Sequence, residues 1–278
     1  MTGVGRGKLI LVGEHAVVYG HPALALGVDR KTTVTLSPSE GLTAIQGATD
    51  ARLLDALRRA LPALGFDVRV ESDLPIGRGM GSSAALAVAL VRARGGSLPP
   101  EELYRAALEI ECVFHGNPSG LDVWMAIHGG VVRFRRGPPR EVTPLPPPSW
   151  QLVVIDSADS GDTRSLVASV AAQRPDVDPI LADIGALVVA AEKALHQPDQ
   201  LGPLLTENHR LLARIGVSSP RLDSIVSLAL EAGALGAKLS GAGGGGVVIA
   251  LTDAAGDEIL AAATAAGLSA FVVRPELT

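Results

Sequence analysis

The chain has 278 residues, enough for one large or two modest domains with an ample core. Hydrophobic residues make up 47% of it, aromatic residues only 3%, and the formal net charge is -5. This composition excludes a general attraction to nucleic acid or to an anionic membrane. The single cysteine, Cys112, excludes an internal disulfide, and we expect a buried thiol in a reducing compartment. No stretch reaches the roughly 18 apolar residues of a membrane span, so we expect a cytoplasmic protein.

Segments typical of strands and of helices alternate along the chain, which predicts a mixed α/β or α+β fold with a core of small aliphatic side chains. The first half has predicted strands at 9–12, 31–36, 68–70 and 131–134, and helices at 50–64, 82–94 and from Pro100 onward. The second half has strands at 151–155, 247–251 and 270–273, and helices near 178–196, 199–215 and 221–232. Residues 137–148 contain six prolines, and we interpret them as a linker between domains 1–145 and 150–278 that joins neither helix nor sheet.

Three alternating glycines, Gly77, Gly79 and Gly81, lead through Ser82 and Ser83 into an apolar helix. Glycines let the backbone approach an anion closely, and a serine at this point can cap the helix. The first N–H groups and the positive dipole end of that helix then face the ligand, for which a nucleotide phosphate is the natural occupant. The alternative is a flexible loop before a capped helix.

Polar residues also surround the end of the first strand. Glu14 and His15 follow it directly, Lys8 lies at its start, and Tyr19 comes just beyond. Ligand groups are often mounted where a strand ends in a tight turn. Each residue taken alone is equally explained as a surface charge or a capping group.

Glu111 lies on the apolar stripe of the helix that begins at Pro100, where an ionised carboxylate requires a partner or a metal ion. A buried salt bridge is the alternative. Residues 115–120 are rich in turn-forming residues, and Asp122 follows two positions after them. Asp122 is either a functional carboxylate or an N-cap. We expect His115 and His128 to be packed or hydrogen-bonded and not to be metal ligands.

A second glycine-rich segment covers Gly241–Gly246 and formally matches the dinucleotide fingerprint. We expect a helix before it and a strand after it, which is the reverse of the order that a nicotinamide site needs. The segment is therefore interpreted as a second loop that lines a phosphate pocket. The Walker pattern and the serine-hydrolase elbow are both absent from the sequence.

Taken together, these segments resemble the three motifs of the GHMP kinase superfamily, in the same order. Residues 7–20, with the sequence GKLILVGEHAVVYG, and residues 115–122, with the sequence HGNPSGLD, are similar to those of the mevalonate kinases within that superfamily. Residues 207–212 also resemble a helical segment of these enzymes. Arg78 and Met80 depart from the usual pattern, which more often has a small residue and Leu.

The resemblance implies a two-domain fold with the active site in the cleft between the domains, and ATP-dependent phosphorylation of the primary hydroxyl of mevalonate by direct in-line transfer. Asp122 is the implied base, Lys8 its cationic partner, and Ser83 and Glu111 the Mg²⁺ ligands. The implied binding residues for ATP are Gly77, Arg78, Gly79, Met80, Gly81, Ser82, Ser83 and Ala84. Those implied for the substrate are Glu14, His15, Tyr19, Thr163, Gly241 and Ala242. Asp156 and residues 162–164 lie where the family has a mobile loop on the substrate side.

Two other functions stay open at this point. A sister kinase would act on phosphomevalonate or on another position of mevalonate, and would differ in the substrate pocket. A ligand sensor on the same fold would bind without turnover, although it would have no reason to retain Lys8, Ser83, Glu111 and Asp122 together. The sequence leaves the oligomeric state open, with a homodimer as the candidate assembly.

Overall fold

The structure is a computed structural model that describes residues 1–39, 45–46, 65–116, 118–159, 161–253 and 256–275. The helix predicted at residues 50–64 lies outside the described residues. Residue contacts divide the chain into two compact units, each of which takes segments from separate parts of the sequence. The predicted domain boundaries at 1–145 and 150–278 stay a prediction.

The first unit comprises Met1–Lys8, Arg30–Ile76 and Gly81–Gly129. It holds the first part of β1 (Thr2–Val12), the last part of β2 (Pro22–Pro38), β3 (Ile45–Gln46), β4 (Phe66–Ser72), α1 (Ser82–Gly95), α2 (Pro100–His115) and α3 (Leu121–His128). Strand β2 pairs antiparallel with β4, from Thr32 opposite Ser72 to Pro38 opposite Phe66, and β4 pairs parallel with β3. Pro100 begins α2 as predicted, since its fixed φ suits the first helical position.

The second unit comprises Leu9–Asp29, Gly77–Met80 and Gly130–Thr278. After a short 3₁₀ helix (Ala16–Tyr19), the first part of β2 pairs with β5 (Val131–Arg135), and β5 pairs with β6 (Glu141–Leu145). An antiparallel sheet has the order β10-β7-β9-β8, formed by β7 (Gln151–Asp156), β8 (Gly236–Ser240), β9 (Val247–Thr252) and β10 (Ala270–Val273). The helices are α4 (Thr163–Ala172), α5 (Asp178–Lys193), α6 (Pro198–Arg214), α7 (Pro220–Glu231) and α8 (Asp257–Ala265).

Each unit has its own aliphatic core. In the first unit, apolar residues of α1, α2 and α3 pack with Val34, Leu36 and Val68 of the strands. In the second, residues of the four-stranded sheet pack with α5, α6 and α7. These two cores confirm the mixed α/β fold and the predicted packing of small aliphatic side chains. In the described part of the chain, none of the helices combines the length and the apolar character needed to cross a membrane.

Four local expectations were wrong. The proline-rich segment contains strand β6, because Pro144 lies on an edge strand that pairs only with β5 and needs no donor on its outer side. Strand β8 and not a helix directly precedes the second glycine segment. Thr163 begins helix α4 and is not part of a loop, since the Asp162 side chain accepts from the Arg164 N–H and caps the helix. Cys112 is exposed, not buried.

Candidate active site

Lys8 and Asp122 form an ion pair within the first unit. The Lys8 Nζ lies 3.0 Å from the Asp122 Oδ2, and the side chains are 3% and 29% exposed. Asp122 lies in the first turn of α3, whose N-cap position is Gly120 with a φ of +84°, so the alternative of Asp122 as an N-cap was wrong. The buried ammonium pairs with a carboxylate whose partial exposure leaves it accessible to a reactant.

The first glycine segment, residues 77–81, approaches Lys8 at its last residue, Gly81. Gly81 occupies the N-cap position of α1 with a φ of +75°, and a Cβ there would lie 3.1 Å from Lys8 Cγ. The expectation that Ser82 or Ser83 caps this helix was therefore wrong, because both lie inside it. The first N–H groups of α1 have no intrahelical partner by geometry, so the end of the helix can bind an anion.

Ser83, Glu111 and His115 form a hydrogen-bonded cluster in the first unit, in which Glu111 is buried and the other two are half-buried. The Ser83 hydroxyl donates to Glu111 Oε1 over 2.9 Å, and His115 Nε2 lies 3.2 Å from the same oxygen and 3.1 Å from Ser83 Oγ. Glu111 is 1% exposed, which confirms its predicted place on the apolar face of α2. Within the described residues, Glu111 Oε2 is buried and has no hydrogen-bond partner.

In this cluster, burial and the neighbouring groups shift the pKa values of Glu111 and His115 in opposite directions. Burial raises the pKa of Glu111, and the hydrogen bonds from His115 and Ser83 offset that rise only in part. Burial alone would lower the pKa of His115, but the hydrogen bond and charge of Glu111 outweigh it and the pKa is raised. His115 is hydrogen-bonded as predicted, and His128 stacks against Trp124.

The two glycine segments meet within the second unit. A Cβ on Gly241 would lie 2.8 Å from Gly79 Cα, and one on Gly79 would collide with the Ser240 carbonyl oxygen. Gly79 and Gly241 have φ values of +84° and +101°. The absence of side chains is thus what lets the two segments touch. Arg78 extends from the first segment to Asp156 at the end of β7, with 3.3 Å between its Nε and Oδ1.

Glu14 and His15 are buried in the second unit. Lys238 Nζ donates to Glu14 Oε1, and Asn208 Nδ2 donates to Glu14 Oε2 over 3.0 Å. His15 Nε2 lies 2.9 Å from the Ala242 carbonyl oxygen. The structure therefore brings Glu14, His15 and Ala242 together with two residues, Lys238 and Asn208, to which sequence reasoning gave no role.

His209 was also missed. Its Nδ1 accepts the Leu239 N–H over 3.3 Å, and its Nε2 lies 3.1 Å from Asp223 Oδ1. Burial lowers the pKa of His209 despite the nearby charge of Asp223. The sequence offered one signal for these groups, which is that Asn208 and His209 are polar residues within an amphipathic helix.

Tyr19 and Thr163 take separate places in the second unit. The Tyr19 ring lies 4.5 Å from the Arg174 guanidinium, at the end of the 3₁₀ helix. Thr163 is the first residue of α4, two positions after Gly161, which packs on the Gly243 carbonyl. Thr163 therefore follows by two residues a contact with the second glycine segment, whereas Tyr19 contacts Arg174.

Comparisons with known proteins agree with this geometry. The model of the GHMP kinases N terminal domain matches residues 49–130, and that of the GHMP kinases C terminal matches residues 188–268. The mevalonate kinases of Thermococcus gammatolerans and Thermococcus sibiricus are 33% and 36% identical to this chain, and each comparison covers 94% of this chain and 91% of the relative. The crystal structure of L. major mevalonate kinase in complex with R-mevalonate is 28% identical, with a TM-score of 0.86 over 100% of this chain and 97% of that one. The chain belongs to the GHMP kinase family and, within it, to the mevalonate kinases.

Proposed function

We propose that this chain transfers the γ-phosphoryl group of ATP to the primary hydroxyl of mevalonate, giving 5-phosphomevalonate for isoprenoid precursor synthesis. The observation that carries the proposal is the Lys8–Asp122 pair, 3.0 Å apart, in a chain with mevalonate kinases as relatives over most of its length. A partly exposed carboxylate that pairs with a buried lysine is suited to take the proton of an alcohol. Transfer is direct and in line, without a phosphoenzyme.

Asp122 accepts the proton of the substrate hydroxyl as its oxygen attacks. Lys8 holds the carboxylate in place through their ion pair and stabilises charge on the transferring phosphoryl group. Since Lys8 is almost fully buried, its interaction with these charges is screened less than it would be in water. The two residues thus act as a unit, and Asp122 is the member that touches the substrate.

The phosphates of ATP are assigned to the segment that ends in the first turn of α1. Its glycines have positive φ values at positions 77, 79 and 81, which turn the backbone toward an anion at low steric cost. The residues assigned to this role are Gly77, Arg78, Gly79, Met80, Gly81, Ser82, Ser83 and Ala84.

Mg²⁺ fits the cluster of Ser83 and Glu111. The buried and unpartnered Glu111 Oε2 is the observation that supports this site, because a hard cation prefers oxygen ligands. Among the described residues, no group of three or more His, Cys, Asp or Glu side chains could hold a metal ion. Such a small ligand set agrees with Mg²⁺, which usually completes its shell with water and phosphate oxygens. When bound, the ion neutralises charge on the phosphates.

The substrate side is assigned to residues of the second unit. Glu14 and His15 orient mevalonate, and Gly241 and Ala242 complete the pocket as neighbours of His15 and Gly79. Tyr19 and Thr163 are further assigned to substrate contacts on the resemblance. A cytoplasmic location is part of the same proposal and is supported by the single cysteine of the sequence. A homodimer is the assembly proposed with it.

The test is ADP release by the purified protein with ATP and Mg²⁺, measured in parallel with mevalonate, phosphomevalonate, galactose and homoserine. Turnover with mevalonate alone is the expected result. Turnover with phosphomevalonate and not mevalonate would replace the proposal by the sister kinase. If none of the four compounds supports ADP release, while ATP still raises the melting temperature, the result would favour the ligand sensor.

A further inference from the structure

Glu14 is held on both carboxylate oxygens by partners that are themselves buried. Lys238 and Asn208 are 0% exposed, and Glu14 is 1% exposed. Lys238 Nζ also donates to the Leu239 carbonyl over 2.6 Å. A buried carboxylate that is paired in this way has no exposed face to offer to a substrate. Its role in the reaction must therefore pass through another residue.

The orientation of the Asn208 amide is dictated by Glu14. Nδ2 donates to the carboxylate, which leaves Asn208 Oδ1 buried and without a partner among the described residues. An unsatisfied buried carbonyl destabilises a protein. That the amide keeps this costly orientation indicates that its contact with Glu14 does more than fill space.

The residue after Glu14 has a strained backbone. His15 has a φ of +59° and a ψ of -49°, and the Ala16 N–H donates to the Glu14 carbonyl over 2.6 Å. These are the dihedrals and the hydrogen bond of the rare γ-turn with positive φ, centred on His15. A non-glycine residue keeps such a conformation only where its surroundings hold it. The anchored Glu14 side chain is adjacent to this turn and can hold it.

The turn sets the direction of the His15 imidazole. Because the Ala242 carbonyl can only accept, His15 Nε2 carries the proton and Nδ1 is a hydrogen-bond acceptor. Burial lowers the pKa of His15, so that the neutral ring is favoured. No described residue donates to Nδ1, which leaves that lone pair for a ligand hydroxyl.

We propose that Glu14, Lys238 and Asn208 are positioning residues that hold the γ-turn at His15, so that His15 Nδ1 accepts a hydrogen bond from a hydroxyl of the alcohol substrate. The inference deepens the proposed function and rests on it for the identity of that alcohol. It divides the two substrate-side residues by role: His15 contacts the substrate, and Glu14 acts through His15.

The first experiment replaces both charges at once, with E14Q/K238M, because a single substitution would leave one buried charge unpaired. The matched control is R133M/E192Q, which removes another ion pair of the second unit, with 2.9 Å between Arg133 Nη1 and Glu192 Oε2. We expect kcat/KM for mevalonate to fall about 10²-fold in E14Q/K238M, mainly through KM, with the KM for ATP unchanged. The control variant is expected to retain the wild-type constants.

A second readout follows the His15 ring itself, by ¹⁵N NMR of the imidazole nitrogens in protein without substrate. The wild type is expected to show a protonated Nε2 and an unprotonated Nδ1, and E14Q/K238M a mixture of tautomers. N208L keeps the ion pair and provides a milder variant in case the double variant does not fold, with smaller changes expected in the same direction.

Folded E14Q/K238M or N208L with wild-type kinetics and a wild-type His15 spectrum would overturn the proposal and leave the three residues a purely structural role. A lower melting temperature with an unchanged KM for mevalonate would also overturn the proposal. If the wild-type protein does not phosphorylate mevalonate, the proposed function fails, whereas the His15 spectra still decide whether Glu14, Lys238 and Asn208 position the ring.

Discussion

Lys8 Nζ and Asp122 Oδ2 are 3.0 Å apart although 114 residues separate them in the sequence. Lys8 belongs to β1 and Asp122 to the first turn of α3, and both lie in the same compact unit. β1 reaches this position because Gly5 allows it to pack closely against the Ala85 backbone of α1. Helix α3, which carries Asp122, packs against the same helix α1, so packing of β1 and α3 on one helix brings the pair together.

Removal of the carboxylate charge tests the base directly. We expect D122N to lower kcat by about 10² to 10⁴-fold, because an amide cannot accept the hydroxyl proton. The affinity for ATP should stay nearly intact, since Asp122 is not assigned to the phosphates. Steady-state kinetics with varied ATP and mevalonate give both values. Near-normal turnover by D122N would remove Asp122 as the base.

Substitution of Glu111 separates a metal ligand from a structural carboxylate. We expect E111Q to raise the Mg²⁺ concentration needed for half-maximal rate, because a neutral amide is a weaker ligand than a carboxylate. The melting temperature should not fall, since burial already raises the pKa of Glu111 and a neutral group costs less to bury. Rate measurements across a Mg²⁺ titration, together with thermal melting, provide the readouts.

The control for E111Q is E109Q, which changes an exposed carboxylate on the same helix. It is expected to leave both the Mg²⁺ requirement and the melting temperature at wild-type values. If E111Q lowers the melting temperature and keeps the wild-type Mg²⁺ requirement, Glu111 is the salt-bridge partner that the sequence left as an alternative.

Local pattern was enough to predict the main elements and the buried position of Glu111. The spacing of Leu103, Ala107 and Glu111 predicted that Glu111 faces the core, because helical periodicity decides which side chains share a face. The same reasoning could not find strand β8. Its five residues are all buried, so it lacks the alternation that identifies a strand with one exposed face.

Long-range partners lie beyond any local pattern. Lys238 and Asn208 are 224 and 194 residues from Glu14 in the sequence, and no spacing rule connects them. The strained turn at His15 was equally hidden, because a non-glycine residue gives no sign of a positive φ. At Glu14 and His15, contacts with residues distant in the sequence thus override the conformational preference of the local sequence. Such conflicts are expected at functional sites.

Gly81 and Gly96 flank helix α1 and provide a matched pair of substitutions. Gly81 has a φ of +75° and a ψ of 27°, in the left-handed helical region, where an alanine costs about 1–2 kcal/mol in backbone strain. Gly96 has a φ of +65° and a ψ of -132°, a conformation nearly confined to glycine, so an alanine there costs more. Only at Gly81 would the new Cβ press on the Lys8 side chain, at 3.1 Å, whereas nothing lies within 4 Å of a Cβ at Gly96. We expect G81A to lower kcat by at least about tenfold by displacing Lys8 from Asp122.

G96A should lose at least as much stability as G81A and still keep the wild-type kcat. Thermal melting of the two purified variants gives the loss of stability, and steady-state kinetics give kcat. Equal kcat values in G81A and G96A would mean that the position of Lys8 tolerates the contact, and would weaken the role given to Lys8.

The burial of His209 lets us predict how the free energy of unfolding depends on pH. Burial lowers its pKa below the ordinary value of 6.5, so the unfolded chain takes up a proton that the folded chain resists. The stabilisation from the neutral ring is thus complete above pH 6.5 and is lost as the pH falls through the lower, folded-state pKa. We expect H209Q, which cannot titrate, to lose less unfolding free energy than the wild type between about pH 7.5 and 5.5.

Urea denaturation of both proteins at the two pH values gives this difference. The lowered pKa of His15 acts in the same direction and the raised pKa of His115 in the opposite one, but both residues are present in the two proteins and their effects largely cancel in the comparison. Glutamine can still accept the Leu239 N–H that His209 Nδ1 accepts, so the variant should remain folded. An identical pH dependence in H209Q and in the wild type would show that His209 takes up its proton equally in the folded and unfolded states, contrary to the effect of its burial.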